Sequence, residues 1–189
     1  VYLADWTDNL TNTRDSYISI NGLNPKFAEY ECFLTLEENI KNNKLLNFYK
    51  LLKRSKRKKI FIGPKKLAKV QEMLNVDKFI DVPIVDAFSE YDRIKSQLFD
   101  YGVNDDNVYI LCCSMMSCLI CSDLKEMNSK ITLLDVGSGF DPIFSQKTRP
   151  EQPTSANCFN YFREVLPDGY VFSKTSAAVD SINNRKMHE

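Results

Sequence analysis

The alternation of short apolar runs with amphipathic segments is the feature that most constrains this chain. Four runs have strand character: IFIG at 60–63, KFIDVP at 78–83, NVYILCC at 107–113 and ITLLDVG at 131–137. A stretch with helical spacing separates each run from the next. Parallel strands can be joined only by crossovers, and these are right-handed. The pattern therefore predicts an α/β fold with a Rossmann-like, mostly parallel sheet flanked by helices on both faces.

The intervening segments predict helices, turns and a few less regular strands. Ser89 is expected to be the N-cap of the helix predicted over 89–102, and Gly102 is expected to follow the end of that helix. Pro83 interrupts the strand region at 78–88. The predicted helices lie within 35–54 and over 65–75, 89–102, 115–128 and 156–167, and two weaker strand candidates lie at 17–20 and 169–174.

The length of 189 residues suits one α/β domain. Residues 1–30 are polar with weak periodicity and are expected to form an irregular N-terminal segment, whereas 150–189 are expected to pack on the sheet edge. The chain opens on Val1 and not on methionine. A longer native chain is therefore an open alternative.

The charge balance argues against some classes of partner. The chain has 25 basic and 25 acidic residues, so a broad surface for polyanions is not expected and nucleic acid is not a predicted partner. No apolar run approaches the roughly 20 residues of a membrane span, and the N-terminus lacks a signal pattern. A run of basic residues at 53–59, KRSKRKK, is interpreted as a solvated connector between a helix and a strand.

The cysteines predict reduced, buried thiols. Six are present, and four of them lie within 112–121, which is unlike the spread of a secreted disulfide framework. Cys118 and Cys121 form a CxxC pair, but zinc would need two more ligands at suitable spacing. We therefore expect a cytoplasmic protein without a zinc site.

Ligands of open parallel sheets bind at the carboxyl ends of the strands. In this chain those ends are the turns that begin at Gly63, Pro83, Ser114 and Gly137. These four turns are the predicted functional site.

The stretch ITLLDVGSGFDP at 131–142 resembles the first motif of S-adenosylmethionine methyltransferases. In that class the glycine turn follows the first strand, and most of the sheet comes after it. Here about fifty residues follow Gly139, the third glycine position is unfilled, and Asp141 and Pro142 stand where a phosphate-binding helix would begin. A methyltransferase is therefore the less favoured interpretation.

An ordered set of short strings resembles another family, the bacterial glucosyltransferases of the GT-D fold that extend glycans on adhesin glycoproteins. The resemblance covers roughly 45–150. Its strings are Ile62-Gly63-Pro64, Val82-Pro83 with Asp86-Ala87-Phe88 and Tyr91-Asp92, Asp123-Leu124, and Asp135-Val136-Gly137 with Asp141.

The resemblance implies a glycosyltransferase that moves a hexose, glucose in the first instance, from a UDP-sugar to a glycan or glycoprotein acceptor. The donor-binding candidates within the matching strings are Gly63, Pro64, Asp86, Tyr91 and Gly137; Ser114, Ser138 and Arg149 are further candidates, because strand-end turns, hydroxyls and arginine can hold a diphosphate. A non-catalytic nucleotide-sugar-binding module is the open alternative.

The resemblance also implies a divalent cation, manganese or magnesium, on the donor diphosphate. The acidic triplet that holds this metal in the family is absent from the chain, and Asp5 and Asp8 are the weak substitutes. The turn after the third strand, glycine-rich in the family, reads Cys113-Ser114-Met115-Met116 here.

Two carboxylates are the catalytic candidates. Asp141 is predicted to be the general base that deprotonates an acceptor hydroxyl, because this role needs a carboxylate within about 3 Å of that oxygen. Asp135 is predicted either to bind ribose or acceptor hydroxyls or to order its own loop. Gly63-Pro64 is equally consistent with a plain strand-to-helix turn, and Arg149 with a solvated surface arginine.

Overall fold

A computed structural model describes residues 2–5, 26–29, 41–144 and 152–170. The chain divides into two compact units, 1–33 and 34–189, and each is described by itself. The expectation of one domain over 1–189 stays a prediction.

The first unit contains a pair of parallel strands, β1 (Tyr2–Asp5) and β2 (Lys26–Glu29), which pair from Tyr2 opposite Lys26 to Asp5 opposite Glu29. The prediction of an irregular segment over 1–30 is wrong at these strands. Neither strand has the β-branched composition that identifies a strand locally, and pairing over such a separation is invisible to local patterns. The strand predicted at 17–20 lies outside the described residues.

The second unit is built on a four-stranded, all-parallel sheet. Its strands are β3 (Lys58–Gly63), β4 (Lys78–Asp81), β5 (Asn107–Leu111) and β6 (Thr132–Asp135). Their order across the sheet is β4-β3-β5-β6, with β4 and β6 at the edges. The predicted parallel sheet is confirmed.

Six α-helices are described in this unit, together with two 3₁₀ turns at Lys65–Leu67 and Ala87–Glu90. The helices are α1 (Lys44–Arg54), α2 (Val70–Leu74), α3 (Tyr91–Tyr101), α4 (Met116–Met127), α5 (Asp141–Phe144) and α6 (Ser155–Phe162). The helix predicted over 65–75 is thus a 3₁₀ turn followed by a short helix.

Helices cover both faces of the sheet, as predicted. Side chains alternate along a strand, so Ile60 and Ile62 of β3 share one face and Phe61 points to the other. The first face packs against α3 and α4, for example at Ile94 and Ile120. On the second face, the Phe61 ring meets the Phe140 ring edge-on at 5.8 Å.

The C-terminal segment reaches this second face through α1. Tyr49 of α1 stacks on Phe140 at 5.2 Å and packs against Phe162 of α6 at 5.5 Å. The Tyr161 hydroxyl accepts a hydrogen bond from the backbone N–H of Leu46. The described part of the C-terminal segment therefore contacts α1, and its predicted contact with the sheet edge stays a prediction. The strand candidate at 169–174 lies mostly outside the described residues.

The start of α3 corrects one expectation. Ser89 is not the N-cap, because it lies inside the 3₁₀ turn that precedes the helix, and its hydroxyl donates to the backbone oxygen of Asp86. Gly102 does follow the end of α3, with a φ of 87° that favours glycine. The strand region predicted over 78–88 ends at Asp81, before the Pro83 that cannot donate to a ladder.

The basic run at 53–59 is solvated in part: Arg54, Lys56 and Lys58 are exposed, whereas the other three basic side chains bind backbone oxygens. The Lys53 ammonium donates to the carbonyl of Val165, and the buried Lys59 ammonium donates to the carbonyls of Ser55 and Arg57. Arg57 itself donates to carbonyls of the turn before β5. These cations satisfy backbone oxygens that would otherwise lack partners.

Within the described ranges, no helix combines the length and the apolar character needed to cross a bilayer.

Candidate functional site

The loops that follow the four parallel strands start at one level and form what we call the carboxyl edge, consisting of 63–66, 82–86, 112–115 and 135–141. The strand ladder continues one residue beyond the strand ends. The N–H of Val82 donates to Gly63 O at 3.1 Å, that of Cys112 to Ile62 O at 2.8 Å, and that of Val136 to Leu111 O at 2.9 Å.

The strand order creates a topological switch point between β3 and β5. The chain leaves β3 toward β4 on one side and later crosses to β5 on the other. Because both crossovers are right-handed, α2 lies on one face and α3 and α4 lie on the other. The loops after β3 and β5 diverge at this point, which is where open α/β sheets bind ligands.

Gly63 ends β3 and is required by packing. A Cβ at this position would lie 2.6 Å from one ring carbon of Phe61 and 3.1 Å from the Cβ of Cys112. Phe61 is fully buried, so neither neighbour can move cheaply. The plain strand-to-helix turn therefore accounts for this glycine, and a contact of Gly63 or Pro64 with a donor stays a prediction.

An ion pair joins the turn after β3 to the loop after β6. The Lys66 ammonium lies 3.0 Å from Oδ1 of Asp141. Asp141 is a buried polar residue, whereas the Lys66 side chain keeps 30% of its surface exposed. The pair thus places one accessible cation beside the switch point, held by a carboxylate beneath it.

Asp135 ends β6 and orders its own loop. Its Oδ1 accepts the backbone N–H of Gly137 at 3.1 Å, and the buried hydroxyl of Ser117, 3.2 Å from Cys113 Sγ, lies near enough to the carboxyl to lower its pKa. The residue keeps an exposed surface, but burial among its neighbours raises the pKa of the carboxyl, while these two groups act in the opposite direction. Loop ordering is therefore present, through the hydrogen bond from Gly137.

Charged groups from both sides of the switch point converge on Cys112, the buried residue after β5. Burial raises the pKa of its thiol well above the ordinary value. The charges of Asp135 and Asp141 raise this pKa further, and that of Lys66 lowers it. The loops after β3 and β6 thus bring these three charges around the end of β5.

Three loops of the carboxyl edge each hold one residue with positive φ: Asp86 at 52°, Ser114 at 55° and Gly137 at 52°. For the first two, which are not glycine, this conformation costs about 1 kcal/mol or more. All three residues are exposed. Backbone strain of this kind persists where the surrounding structure requires it, and it often marks a functional site.

Helix α4 begins at Met116, and its N-cap residue Met115 provides no side-chain cap. The first turn uses the carbonyls of Ser114 and Met115 for the N–H groups of Ser117 and Cys118. The N–H groups that precede them have no intrahelical acceptor and carry the positive end of the helix dipole. This end of α4 therefore faces the carboxyl edge.

Tyr91, a predicted donor ligand, is bonded to the protein itself. As the first residue of α3 it donates its hydroxyl to the carboxylate of Asp123 on α4, and Lys95 pairs with the same carboxylate at 2.9 Å. Burial acts to raise the pKa of Asp123, but the hydrogen bonds from Tyr91 and Lys95 outweigh it, so the net shift is downward. This cluster ties α3 to α4.

The five described cysteines are free thiols, as predicted. Cys112, Cys113 and Cys158 are buried, whereas Cys118 is exposed, which corrects the expectation of uniform burial. Burial raises the pKa of Cys113 to about 11 and that of Cys158 to about 12. Such thiols are poor nucleophiles at neutral pH.

Both metal candidates, Asp5 and Asp8, belong to the first unit, and Arg149 is a predicted donor-binding residue of the second. Asp8 and Arg149 lie outside the described residues, and Asp5 belongs to β1 in the other unit. In the described ranges, no three His, Cys, Asp or Glu side chains are grouped so that they could hold a metal ion. The described carboxyl edge therefore does not supply a metal site, and a divalent cation stays a prediction.

Two residues of the site were not identified from the sequence. Lys66 follows Gly63-Pro64 by two positions, and a lysine after a buried strand and a turn could have signalled it. Ser117 lies within SMMSC, where nothing local indicates that it will lie near Asp135. Ser138, which was predicted, accepts Gln152 Nε2 through its backbone oxygen at 3.1 Å.

An open hollow of about 800 Å³ lies at the opposite, amino edge of the sheet, beside Lys56, Arg57 and Asn104. The Arg57 guanidinium donates hydrogen bonds to protein oxygens there, including Thr132 Oγ1 at 2.9 Å and Asp105 O at 2.7 Å. The exposed Lys56 and Lys58 also line the hollow, but open parallel sheets bind ligands at the carboxyl ends of their strands, so the carboxyl edge is the better candidate.

Comparisons with protein-family models, with curated proteins and with solved structures found no match for this chain.

Proposed function

We propose that this chain is a glycosyltransferase that transfers a hexose, glucose in the first instance, from a UDP-sugar to a glycan or glycoprotein acceptor. The observation that carries the proposal is the convergence of Lys66, Asp135 and the uncapped start of α4 on the switch point of a parallel sheet. The ordered strings that resemble GT-D glucosyltransferases lie in these same loops.

The positive groups suit the leaving group of such a reaction. When the bond between the sugar C1 and the phosphate oxygen breaks, the departing diphosphate gains negative charge that must be neutralised. The Lys66 ammonium and the first-turn amides of α4 are positive groups on the two sides of the switch point. No step of this proposal is routed through a metal, since the described residues do not supply its ligands.

The two carboxylates suit different roles. A general base must reach the acceptor hydroxyl, and Asp135 is exposed at the rim, whereas Asp141 is buried against Lys66. We therefore assign the base to Asp135 and give Asp141 the task of holding Lys66 in place. The raised pKa of Asp135 also favours proton uptake.

The test measures donor binding and turnover separately. Thermal shift with UDP-glucose, UDP and S-adenosylmethionine, each with and without manganese, identifies the ligand class, because a bound ligand stabilises the native state. UDP release in the presence of a panel of aryl-glycoside acceptors then measures transfer. Stabilisation by UDP-glucose together with UDP release supports the proposal.

Matched variants assign the roles. Lys66→Met should weaken UDP-glucose binding about tenfold or more, whereas Lys69→Met, on the same segment but paired with Glu72 in solvent, should not. Asp135→Asn should keep donor binding and lose turnover by about 100-fold or more. Full turnover in Asp135→Asn would refute the assigned base.

A non-catalytic nucleotide-sugar-binding module is the second candidate, and the ion pair of Asp141 with Lys66 favours it by engaging one of the two candidate carboxylates. Tight UDP-glucose binding without UDP release under any condition would support the module. Stabilisation by S-adenosylmethionine alone would support a methyltransferase. This is the least supported of the three functions, because β6, the strand before Gly137, is the last described strand of the sheet and lies at its edge.

A further inference from the structure

Exposed apolar side chains are concentrated beside the carboxyl edge. Of the seven large hydrophobic residues that are exposed in the described ranges, five lie in the loop after β4 or at the start of α4. These five, which we call the apolar patch, are Ile84, Val85, Phe88, Met115 and Leu119.

The patch has an extent that single exposed residues lack. Val85 is 81% exposed and Met115 is 86% exposed, so neither belongs to the core. Scattered exposed hydrophobics are ordinary, but a contiguous group of them usually marks an interaction surface.

The elements that carry the two halves of the patch are linked by the hydrogen bond of Tyr91, at the start of α3, to Asp123 of α4. Phe88 lies beside Tyr91, with parallel rings 6.0 Å apart. Leu119 precedes Asp123 by one turn on the same face of α4. Both Phe88 and Leu119 are thus displaced from this contact in the same direction, toward the carboxyl edge.

Carboxylates surround the first half of the patch. Residues 81–93 contain four acidic side chains and a single basic one, Arg93, which pairs with Glu90. Asp81, Asp86 and Asp92 are exposed. The second half adds no compensating charge, because 114–121 contain no ionisable cation or carboxylate.

This combination selects the chemistry of the occupant. An apolar surface with an acidic rim is complementary to a segment that is apolar on one face and basic on the other. An anionic membrane would be repelled by the same carboxylates. A second copy of the chain, meeting this patch with its own, would place acidic rim against acidic rim.

We propose that the apolar patch and its acidic rim form a docking site for a basic, amphipathic segment of a partner polypeptide. The inference concerns binding alone, and it stands whether or not the chain transfers a sugar.

The probe is a fluorescein-labelled helical peptide with leucine on one face and lysine on the other. Its binding to the chain is measured by fluorescence anisotropy. The comparison peptide carries glutamate in place of lysine. The intact chain should bind the lysine peptide and should bind the glutamate peptide at least about tenfold more weakly. Equal or tighter binding of the glutamate peptide would overturn the proposal.

Substitutions of exposed residues locate the site. Phe88→Ser with Met115→Ser should raise the dissociation constant of the lysine peptide about tenfold, since both apolar contacts are lost. Asp86→Lys with Asp92→Lys should raise it by a similar factor through charge repulsion.

The matched controls lie outside the patch. Leu51→Ser with Met127→Ser removes two exposed hydrophobic residues elsewhere, and Asp100→Lys with Glu126→Lys makes an equal change of charge. These controls should leave the dissociation constant within about twofold. Equal losses in patch and control variants would overturn the proposal.

Sedimentation with vesicles tests the membrane alternative. The chain should not sediment with vesicles of phosphatidylcholine and phosphatidylglycerol. Vesicle binding that Phe88→Ser with Met115→Ser abolishes would overturn the proposal in favour of a membrane surface.

Discussion

The ammonium of Lys66 lies 3.0 Å from Oδ1 of Asp141, so that the turn after β3 is tied to the first residue of α5. The carboxylate is largely buried and the cation is partly exposed. Removing either partner therefore has different consequences for the fold and for the charge at the switch point.

Lys66→Met should lower the free energy of unfolding by about 1 to 3 kcal/mol, because it removes an ion-pair partner of the largely buried carboxylate of Asp141. Urea denaturation measures this change. Lys69→Met is the control, since its pair with Glu72 is more than half exposed and should contribute below about 0.5 kcal/mol. Equal losses in the two variants would mean that the buried pair contributes no more to the free energy of unfolding than the exposed pair.

Gly63→Ala should destabilise the protein by about 1 to 3 kcal/mol, because the new methyl group would overlap the ring of Phe61. The same substitution in a Phe61→Leu background should cost less, since the overlapping ring atoms are gone. A double-mutant cycle by urea denaturation measures the difference. Additive costs would show that Phe61 is not the obstacle.

Tyr91→Phe should raise the pKa of Asp123, because the variant removes a hydroxyl that donates to the carboxylate. The lowered pKa in the native state gives stability that is present above about pH 4 and is lost as pH falls through the native pKa. The variant should therefore lose less stability on acidification than the wild type. Carbon NMR titration of Asp123 measures the shift, and Tyr101→Phe should leave it unchanged.

Iodoacetamide at pH 8 should modify Cys118 well before Cys113 and Cys158. Cys118 is exposed, whereas the pKa of about 11 at Cys113 leaves roughly one thousandth of that thiol ionised at pH 8. Mass spectrometry of the native protein in a Cys32→Ser background measures the order. Early modification of Cys113 would contradict the buried arrangement.

Stability should fall at alkaline pH through Cys158. Its pKa in the native state is raised to about 12, so the unfolded chain loses this proton first. The contribution of the thiol is present below about pH 9 and is lost as pH rises toward 12. Between pH 8 and 10 the unfolding free energy of Cys158→Ala should decline by about 1 kcal/mol less than that of the wild type.

Local patterns were sufficient for most of the sheet and for the edge at which the loops after its strands lie. Ile60–Ile62 and the run at 107–113 are apolar stretches between helical segments, and both became buried parallel strands. The parallel arrangement then required the turns at Gly63, Ser114 and Gly137 to share one edge. The limits of elements were predicted less well, as Ser89 shows, because a 3₁₀ turn and a helical turn have similar spacing.

The contacts between charged groups at the carboxyl edge could not be predicted from local patterns in the sequence. Nothing near Asp141 indicates that Lys66 will reach it, and nothing near Ser117 indicates that it will lie near Asp135. Each of these pairs joins loops that come together only because β3, β5 and β6 are neighbours in the sheet. The pairing of β1 with β2 belongs to the same class.

The sequence by itself determined that the second unit is a parallel sheet covered by helices, and that its loops gather at the carboxyl ends. It could do so because apolar periodicity is local and parallel strands require crossovers. Only the tertiary structure decided that Lys66 meets Asp141, that Ser117 lies near Asp135, and that Phe88 and Leu119 are both exposed. These relationships depend on strand order and side-chain direction, which arise when distant segments pack.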